Sequence, residues 1–274
     1  MLILLTLGIV QGIAEFLPIS SSGHLVLLEQ FKYFKTELEK IGNINLFVNV
    51  SLHMASLLAV LIYLWNDIIA LIKGVFQGIA AGDFQKSEIK TVTYIIAASI
   101  PAGIIGLIFH DYLEKIFSSV TIVSIFLIIN GFILITTKKI PQKDRNIEEL
   151  GLIRSIIIGF YQAFAILPGI SRSGMTITGG LFMGLKPIES AKFSFLIAVP
   201  VIAGAGLLEA VKAFRGSFPM ELLFPLLAAM LVTLVVALIS LRILFALVKR
   251  VKIDIFGYYT IVIGITVIIL VNVI

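Results

Sequence analysis

Apolar residues run through this chain in long stretches with almost no charge inside them. Six stretches, near 45–65, 93–109, 119–137, 189–211, 222–247 and 254–274, are long and apolar enough to cross a hydrocarbon core of about 30 Å as helices. Two further apolar regions, 1–34 and 152–186, are each interrupted midway. The interruptions read Pro18-Ile19-Ser20-Ser21-Ser22-Gly23 and Pro168-Gly169-Ile170-Ser171-Arg172-Ser173-Gly174. Residues 67–81 form a shorter apolar pattern that suits a helix lying at the membrane interface. The pattern predicts an all-α polytopic membrane protein, with six transmembrane helices and two re-entrant helix–turn–helix hairpins, as a single integral membrane domain over 1–274.

Composition agrees with this pattern. Hydrophobic residues make up 59% of the 274 positions and charged residues 14%, against about 45–50% and about 25% in soluble domains. A surface made from so few charges needs lipid as its solvent. The N-terminal run 1–10 has no preceding basic residue and no small-residue cleavage site after it, and it continues into Gln11 and Glu15, so it is expected to be retained and not removed as a signal peptide. The chain has no cysteine, which excludes disulfides, thiolate metal sites and cysteine-phosphatase chemistry.

The net charge of +5 reads as a topology signal and not as a nucleic-acid footprint. If both interrupted regions enter and leave on one side, thirteen of the 21 basic residues collect on a single face: Lys73, Lys86, Lys90, Lys138, Lys139, Lys143, Arg145, Arg154, Lys186, Lys192, Lys249, Arg250 and Lys252. The other face holds Lys32, Lys35, Lys40, Lys115, Lys212 and Arg215 among acidic residues. The positive-inside rule makes the first face cytoplasmic and puts both termini outside.

The two interruptions are copies of one another. Gly8, Gln11, Ala14, Ser20, Ser22 and Gly23 recur 151 positions later as Gly159, Gln162, Ala165, Ser171, Ser173 and Gly174. Under the topology above the copies enter from opposite sides, which makes an inverted internal repeat with halves of approximately 1–137 and 152–274. Irregular backbone at membrane depth is tolerated where it is buried in protein or lines a wet cavity. Half-helix N-termini there present unpaired N–H groups and partial positive charge, which suit phosphate, and serines cap such ends or bind phosphate oxygens. The plainer alternative is that Ser, Gly and Pro merely kink helices or pack small faces together.

Glu15, Arg172 and His24 argue for chemistry. Gln11 and Glu15, four apart, share one helix face ahead of the first break. A carboxylate at this depth calls for a polar cavity, where it acts as a base, a metal ligand or the partner of a cation. His24 follows the serines and can transfer a proton or attack phosphorus. His53, on one face with Asn49, and His110 are weaker candidates. The Arg172 guanidinium matches phosphate oxygens in its fork geometry, although a permanent pairing with Glu15 is the alternative.

Residues 8–24, Gly-Ile-Val-Gln-Gly-Ile-Ala-Glu-Phe-Leu-Pro-Ile-Ser-Ser-Ser-Gly-His, and residues 168–176, Pro-Gly-Ile-Ser-Arg-Ser-Gly-Met-Thr, resemble the two signatures of the bacterial undecaprenyl pyrophosphate phosphatase, or bacitracin-resistance, family. The resemblance extends in length and hydropathy over the whole chain. It implies a membrane hydrolase that converts undecaprenyl (C55-isoprenyl) pyrophosphate to undecaprenyl phosphate and phosphate, recycling the lipid carrier for cell-wall synthesis and conferring bacitracin resistance. Glu15, Ser21, His24 and Arg172 fill the catalytic positions. The substrate-binding positions are Gln11, Ser20, Ser22, Ser171, Ser173, Thr176 and Gln162. The nucleophile is left open between Ser21, His24 and water. The family's divalent cation, Mg²⁺ or Ca²⁺, is expected near Glu15, although Gln11 stands where some members carry Glu. A bacterial cytoplasmic membrane, a cavity open to the outer face, a prenyl pyrophosphate and membrane lipids as partners, and an open question of homodimerisation complete the implied picture.

Transport is the rival reading, because inverted repeats with broken helices also build secondary carriers; lipid flux by a hydrolysis-dead variant would separate the two. An intramembrane serine protease would leave Arg172 unexplained. An acid-phosphatase-type site needs an Arg-Pro dipeptide and a later histidine, and no histidine follows His110.

Overall fold

The computed structural model describes residues 1–31, 34–36, 45–108, 119–213 and 220–273. The described elements are helical: α1 (Leu2–Ala14), α2 (Ser21–Glu29), α3 (Asn45–Tyr63), α4 (Trp65–Ala81), α5 (Ser87–Ile108), α6 (Val120–Thr136), α7 (Leu152–Phe164), α8 (Arg172–Phe182), α9 (Pro187–Ala213), α10 (Leu223–Lys249) and α11 (Asp254–Val273). Helices α5, α6, α9, α10 and α11 are each long and apolar enough to span a bilayer. The α3–α4 pair would make a sixth span but bends by 74° at its break. That bend turns α4 away from the line of α3. His110 lies outside the described residues.

The short pairs α1–α2 and α7–α8 are the two interrupted regions. Ser20 and Ser171 end the breaks by capping α2 and α8, each side chain accepting from the backbone N–H three residues on (Gly23 at 3.2 Å, Gly174 at 3.1 Å). Lipid-facing surface shows in α10, where Phe224, Leu227, Leu231, Val235, Ile239 and Ile243 are exposed in a single stripe. Its opposite face buries Ala229, Thr233, Ala237 and Ser240. Large apolar groups outside and small or weakly polar groups inside are what lipid as solvent selects.

Packing pairs the halves crosswise: α1 lies against α10, α7 against α5, and α6 against α11. Repeated glycines make these approaches close. A Cβ on Gly8 would lie 2.7 Å from the Ala229 carbonyl oxygen, and one on its counterpart Gly159 would lie 2.5 Å from that of Ala98. Between α6 and α11 the contact is reciprocal. A Cβ on Gly131 would meet the Gly257 oxygen at 2.5 Å, and one on Gly257 would meet that of Gly131 at 2.6 Å. The main core, with Phe16, Phe193, Phe195 and Phe245, packs beside the first break.

Candidate active site at the meeting of two broken helices

The two breaks bring Glu15, the C-cap residue of α1, against the N-termini of α2 and α8. Arg172 Nη2 donates to Glu15 Oε1 at 2.6 Å. Oε2 accepts from Ser21 Oγ at 2.9 Å and from Gln11 Nε2 at 3.0 Å. His53 Nε2 lies 3.6 Å from the same oxygen, while its Nδ1 donates to the Asn49 carbonyl at 2.9 Å. Glu15 is therefore buried at 7% exposure with both oxygens engaged. The bond to Glu15 uses one of Arg172's five N–H donors. The N–H groups of Ser21, Ser22, Arg172 and Ser173 sit in the first turns of α2 and α8, ahead of any i−4 acceptor.

These groups open onto a cavity of about 450 Å³, within the usual range for a ligand site. Its polar wall is Glu15, Ser21, Ser22, Glu29, Asn49, His53, Ser171 and Arg172. An apolar wall of Val201, Ile202, Ala205 and Gly206 from α9 faces it, with Leu25 and Val26 of α2 beside it. An anionic head and an apolar tail would thus each find a matching surface.

Not every expected residue reaches this wall. His24 turns away from it. On a helix of 3.6 residues per turn, Ser21, Ser22, Leu25, Val26 and Glu29 share one face, and His24 falls on the other. Its Nδ1 donates to the Ser20 carbonyl at 2.9 Å, which leaves Nε2 to accept from the Tyr259 hydroxyl at 2.9 Å, with the two rings stacked. His53, and not His24, stands near Glu15. Ser20, Ser173 and Thr176 are buried in capping and packing contacts: Ser20 with Ser22, Ser173 with Ser171, and Thr176 with Ser194 and the Arg172 carbonyl. Gln162 is buried with neither amide atom bonded to protein, because Ile166 occupies the place that Glu15 has beside Gln11.

The copies also differ in backbone. Gly169 takes φ +98° in the second break. The matching residue in the first break is Pro18, whose ring holds φ near −65°, and the positive angle falls instead on Ser20, at φ 71° and ψ 100°.

Among the described residues, no three His, Asp or Glu side chains gather as a metal-binding group. A hard divalent ion needs only one or two carboxylates when phosphates and water supply the rest. Glu29 is the second carboxylate on the cavity wall, and the residues fit an ion of that kind. The sequence reading did not name Glu29; the signal for it is the helical spacing of Ser21, Leu25 and Glu29 on one face of α2.

Comparison with known proteins follows this geometry. The profile of the family described as bacitracin resistance protein BacA matches residues 4–266. A protein of Thermosipho africanus named undecaprenyl-diphosphatase is 38% identical over 261 residues, covering 95% of this chain and 96% of its own. Proteins of the same name from Methanococcus maripaludis strain C5 and Geotalea daltonii are each 36% identical, covering 93% and 97% of this chain and 94% and 96% of their own. The two broken-helix signatures, their junction at Glu15 and Arg172, and this near full-length match place the chain in the bacitracin resistance protein BacA family.

Proposed function

We infer that this chain is an undecaprenyl-diphosphatase, a multi-pass membrane hydrolase that cleaves undecaprenyl diphosphate to undecaprenyl phosphate and phosphate. It thereby recycles the lipid carrier and supports bacitracin resistance. The observation that carries the reading within the site is the Ser21–Glu15–Arg172 chain, in which a hydroxyl, a carboxylate and a guanidinium meet on one cavity wall.

The diphosphate docks on the free N–H groups of Arg172 and of the α2 and α8 N-termini, which are aimed where charge develops during phosphoryl transfer. The prenyl chain lies along Val201, Ile202 and Ala205. Ser21 Oγ forms a bond to the terminal phosphorus while its proton passes to Glu15 Oε2. The bond from that phosphorus to the bridging oxygen breaks, and undecaprenyl phosphate leaves with the proton from Glu15. Water then attacks the phosphoserine phosphorus; one of its protons returns to Ser21 Oγ and the other stays on the released phosphate. Gln11 and His53 hold Glu15 in place, and His24 holds the Ser20 turn. Ser22 and Ser171 flank the phosphates, while Ser173, Thr176 and Gln162 shape the second break behind Arg172.

Glu29 would be the residue to hold a divalent cation, Mg²⁺ or Ca²⁺, because both Glu15 oxygens are already engaged; bound there, the ion would neutralise phosphate charge. The cavity is lined by Glu29 near the end of α2, Asn49 near the start of α3 and Gly206 in the later part of α9, and in the sequence the stretches that follow α2 and α9 belong to the face with fewer basic residues. That supports a cavity open to the outer face of a bacterial cytoplasmic membrane, with both termini outside and the halves 1–137 and 152–274 inserted in opposite senses. The test is phosphate release from undecaprenyl diphosphate by purified protein, beside Ser21→Ala and Arg172→Ala. Release by wild type and loss in both folded variants is expected. Undiminished turnover in folded Arg172→Ala would overturn the reading.

A further inference from the structure

Helix α6 lies along both breaks at once. Val123, Leu127, Asn130 and Leu134, spaced three and four apart, are all fully buried. Leu127 packs 3.2 Å from where a Cβ of Gly23 would stand, and its backbone N lies 3.1 Å from where one of Gly169 would stand. Leu134 lies 3.1 Å from the corresponding point of Gly174. Asn130 is the one polar side chain in this stripe. Its Nδ2 donates to the Pro18 carbonyl at 3.2 Å, in the first break, and its Oδ1 accepts from the Ser171 N–H at 3.0 Å, at the cap of the second. The partners fix which end is oxygen, since a carbonyl only accepts and an N–H only donates.

We propose that Asn130 is a positioning residue for the reaction: a single amide strut that sets the serine-bearing break and the arginine-bearing break in register across the cavity. Pro18 stands three residues from both Glu15 and Ser21, and Ser171 directly precedes Arg172. Any slip between the Asn130 partners therefore moves the nucleophile relative to the guanidinium. Irregular backbone buried at this depth must have its polar groups satisfied, and a short amide can satisfy a donor and an acceptor together. Aspartate keeps the acceptor for Ser171 but sets an oxygen against the Pro18 carbonyl, and leucine offers neither group. The other contacts of α6 with the two breaks are van der Waals ones that would allow sliding, so Asn130 adds, beside the Glu15–Arg172 pair, the directional bonds that fix the backbone register.

The proposal rests on the diphosphatase reading for its kinetic arm only. Asn130→Asp, with Asn130→Ser as the uncharged second variant, is purified beside wild type and assayed on undecaprenyl diphosphate. The expected result is a fall in kcat of about 10- to 100-fold, the scale of a 1 Å misplacement, with KM moving by less than about threefold. Combined with Arg172→Lys, the Asn130 change should cost little further, because both act on the same alignment. Full additivity, or wild-type kcat in the folded variant, overturns it. The structural arm needs no activity. Spin labels on Ile13→Cys and Phe164→Cys, both exposed and in a chain with no other cysteine, report the distance between the hairpins. A shifted or broadened distance in the Asn130 variants is expected, and an unchanged one overturns the proposal. No phosphatase activity in wild-type protein, together with a shifted distance in the Asn130 variants, would sink the functional reading and leave the strut standing.

Discussion

Glu15 and Arg172 stand 157 positions apart in the chain, yet their side chains meet at 2.6 Å. Neither has a like residue at the matching place in the other copy: position 166 is Ile and position 21 is Ser. The repeat has thus kept one scaffold and divided the chemistry, with carboxylate and hydroxyl on the first break and guanidinium on the second. In the proposed reaction the pair would also couple binding to reactivity. While Arg172 holds Glu15 it would compete with the proton that Glu15 is to accept, and a diphosphate that draws on the guanidinium would loosen that hold when a base is needed.

Arg172→Lys should therefore retain the charge but lose the fork, and phosphate release is expected to fall about 10²- to 10³-fold, as for removal of a transition-state donor. Glu15→Gln should lose activity at least as far, because Gln cannot take the proton from Ser21. Thermal melts in detergent separate this from unfolding: breaking a buried pair costs about 3–5 kcal/mol, and Arg172→Lys should cost less than Glu15→Ala. Turnover within threefold of wild type in folded Arg172→Lys would show that the fork has no part in the reaction.

The spans were legible because lipid imposes a length and a composition, and α5, α6, α9, α10 and α11 lie where the apolar stretches do. The breaks were legible because two copies at a fixed offset rarely arise by chance. Side-chain direction was not legible. His24 follows the serines in sequence, but helical phase carries it to Tyr259, and His53, a weaker candidate on sequence alone, stands beside Glu15. Asn130 was hidden for a different reason. A lone amide in an apolar span announces a partner, but which backbone groups it meets depends on how α6 crosses both breaks.

Ser20 and Ser171 offer a paired test of backbone strain. A non-glycine residue held at positive φ costs about 1–3 kcal/mol, and glycine at an N-cap loses only a few tenths against serine. Ser20→Gly at φ 71° should leave stability unchanged or raise it by about 1 kcal/mol. Ser171→Gly at φ −82° has no strain to relieve and should lower stability by about a few tenths of a kcal/mol. Equal shifts of the two melting temperatures would contradict the assignment of strain to Ser20.

Glycines at the helix crossings should be far less tolerant than those facing open space. Gly159→Ala puts a methyl 2.5 Å from the Ala98 oxygen, and separating α7 from α5 is expected to cost about 1–3 kcal/mol. A Cβ at Gly103, also on α5, meets nothing within 4 Å, and Gly103→Ala should stabilise the helix by up to about 1 kcal/mol. Melting curves of both variants in one detergent check the contrast. A destabilised Gly103→Ala would mean that this side of α5 is covered.

The cation requirement should follow Glu29 more than Gln11. Chelation of divalent ions is expected to suppress phosphate release, with recovery on adding Mg²⁺ or Ca²⁺. If Glu29 holds the ion, Glu29→Gln should shift the cation concentration for half-recovery upward by about tenfold, equivalent to about 1.4 kcal/mol, and leave the maximal rate near wild type. Gln11→Glu adds a carboxylate beside Glu15 instead. There the Gln11 amide donates to Glu15 at 3.0 Å, and a second carboxylate would repel it, so this variant should lose rate with no drop in the cation concentration needed. The reverse outcome, a lower cation requirement in Gln11→Glu and none of the shift in Glu29→Gln, would place the ion at the α1 face and remove Glu29 from the site.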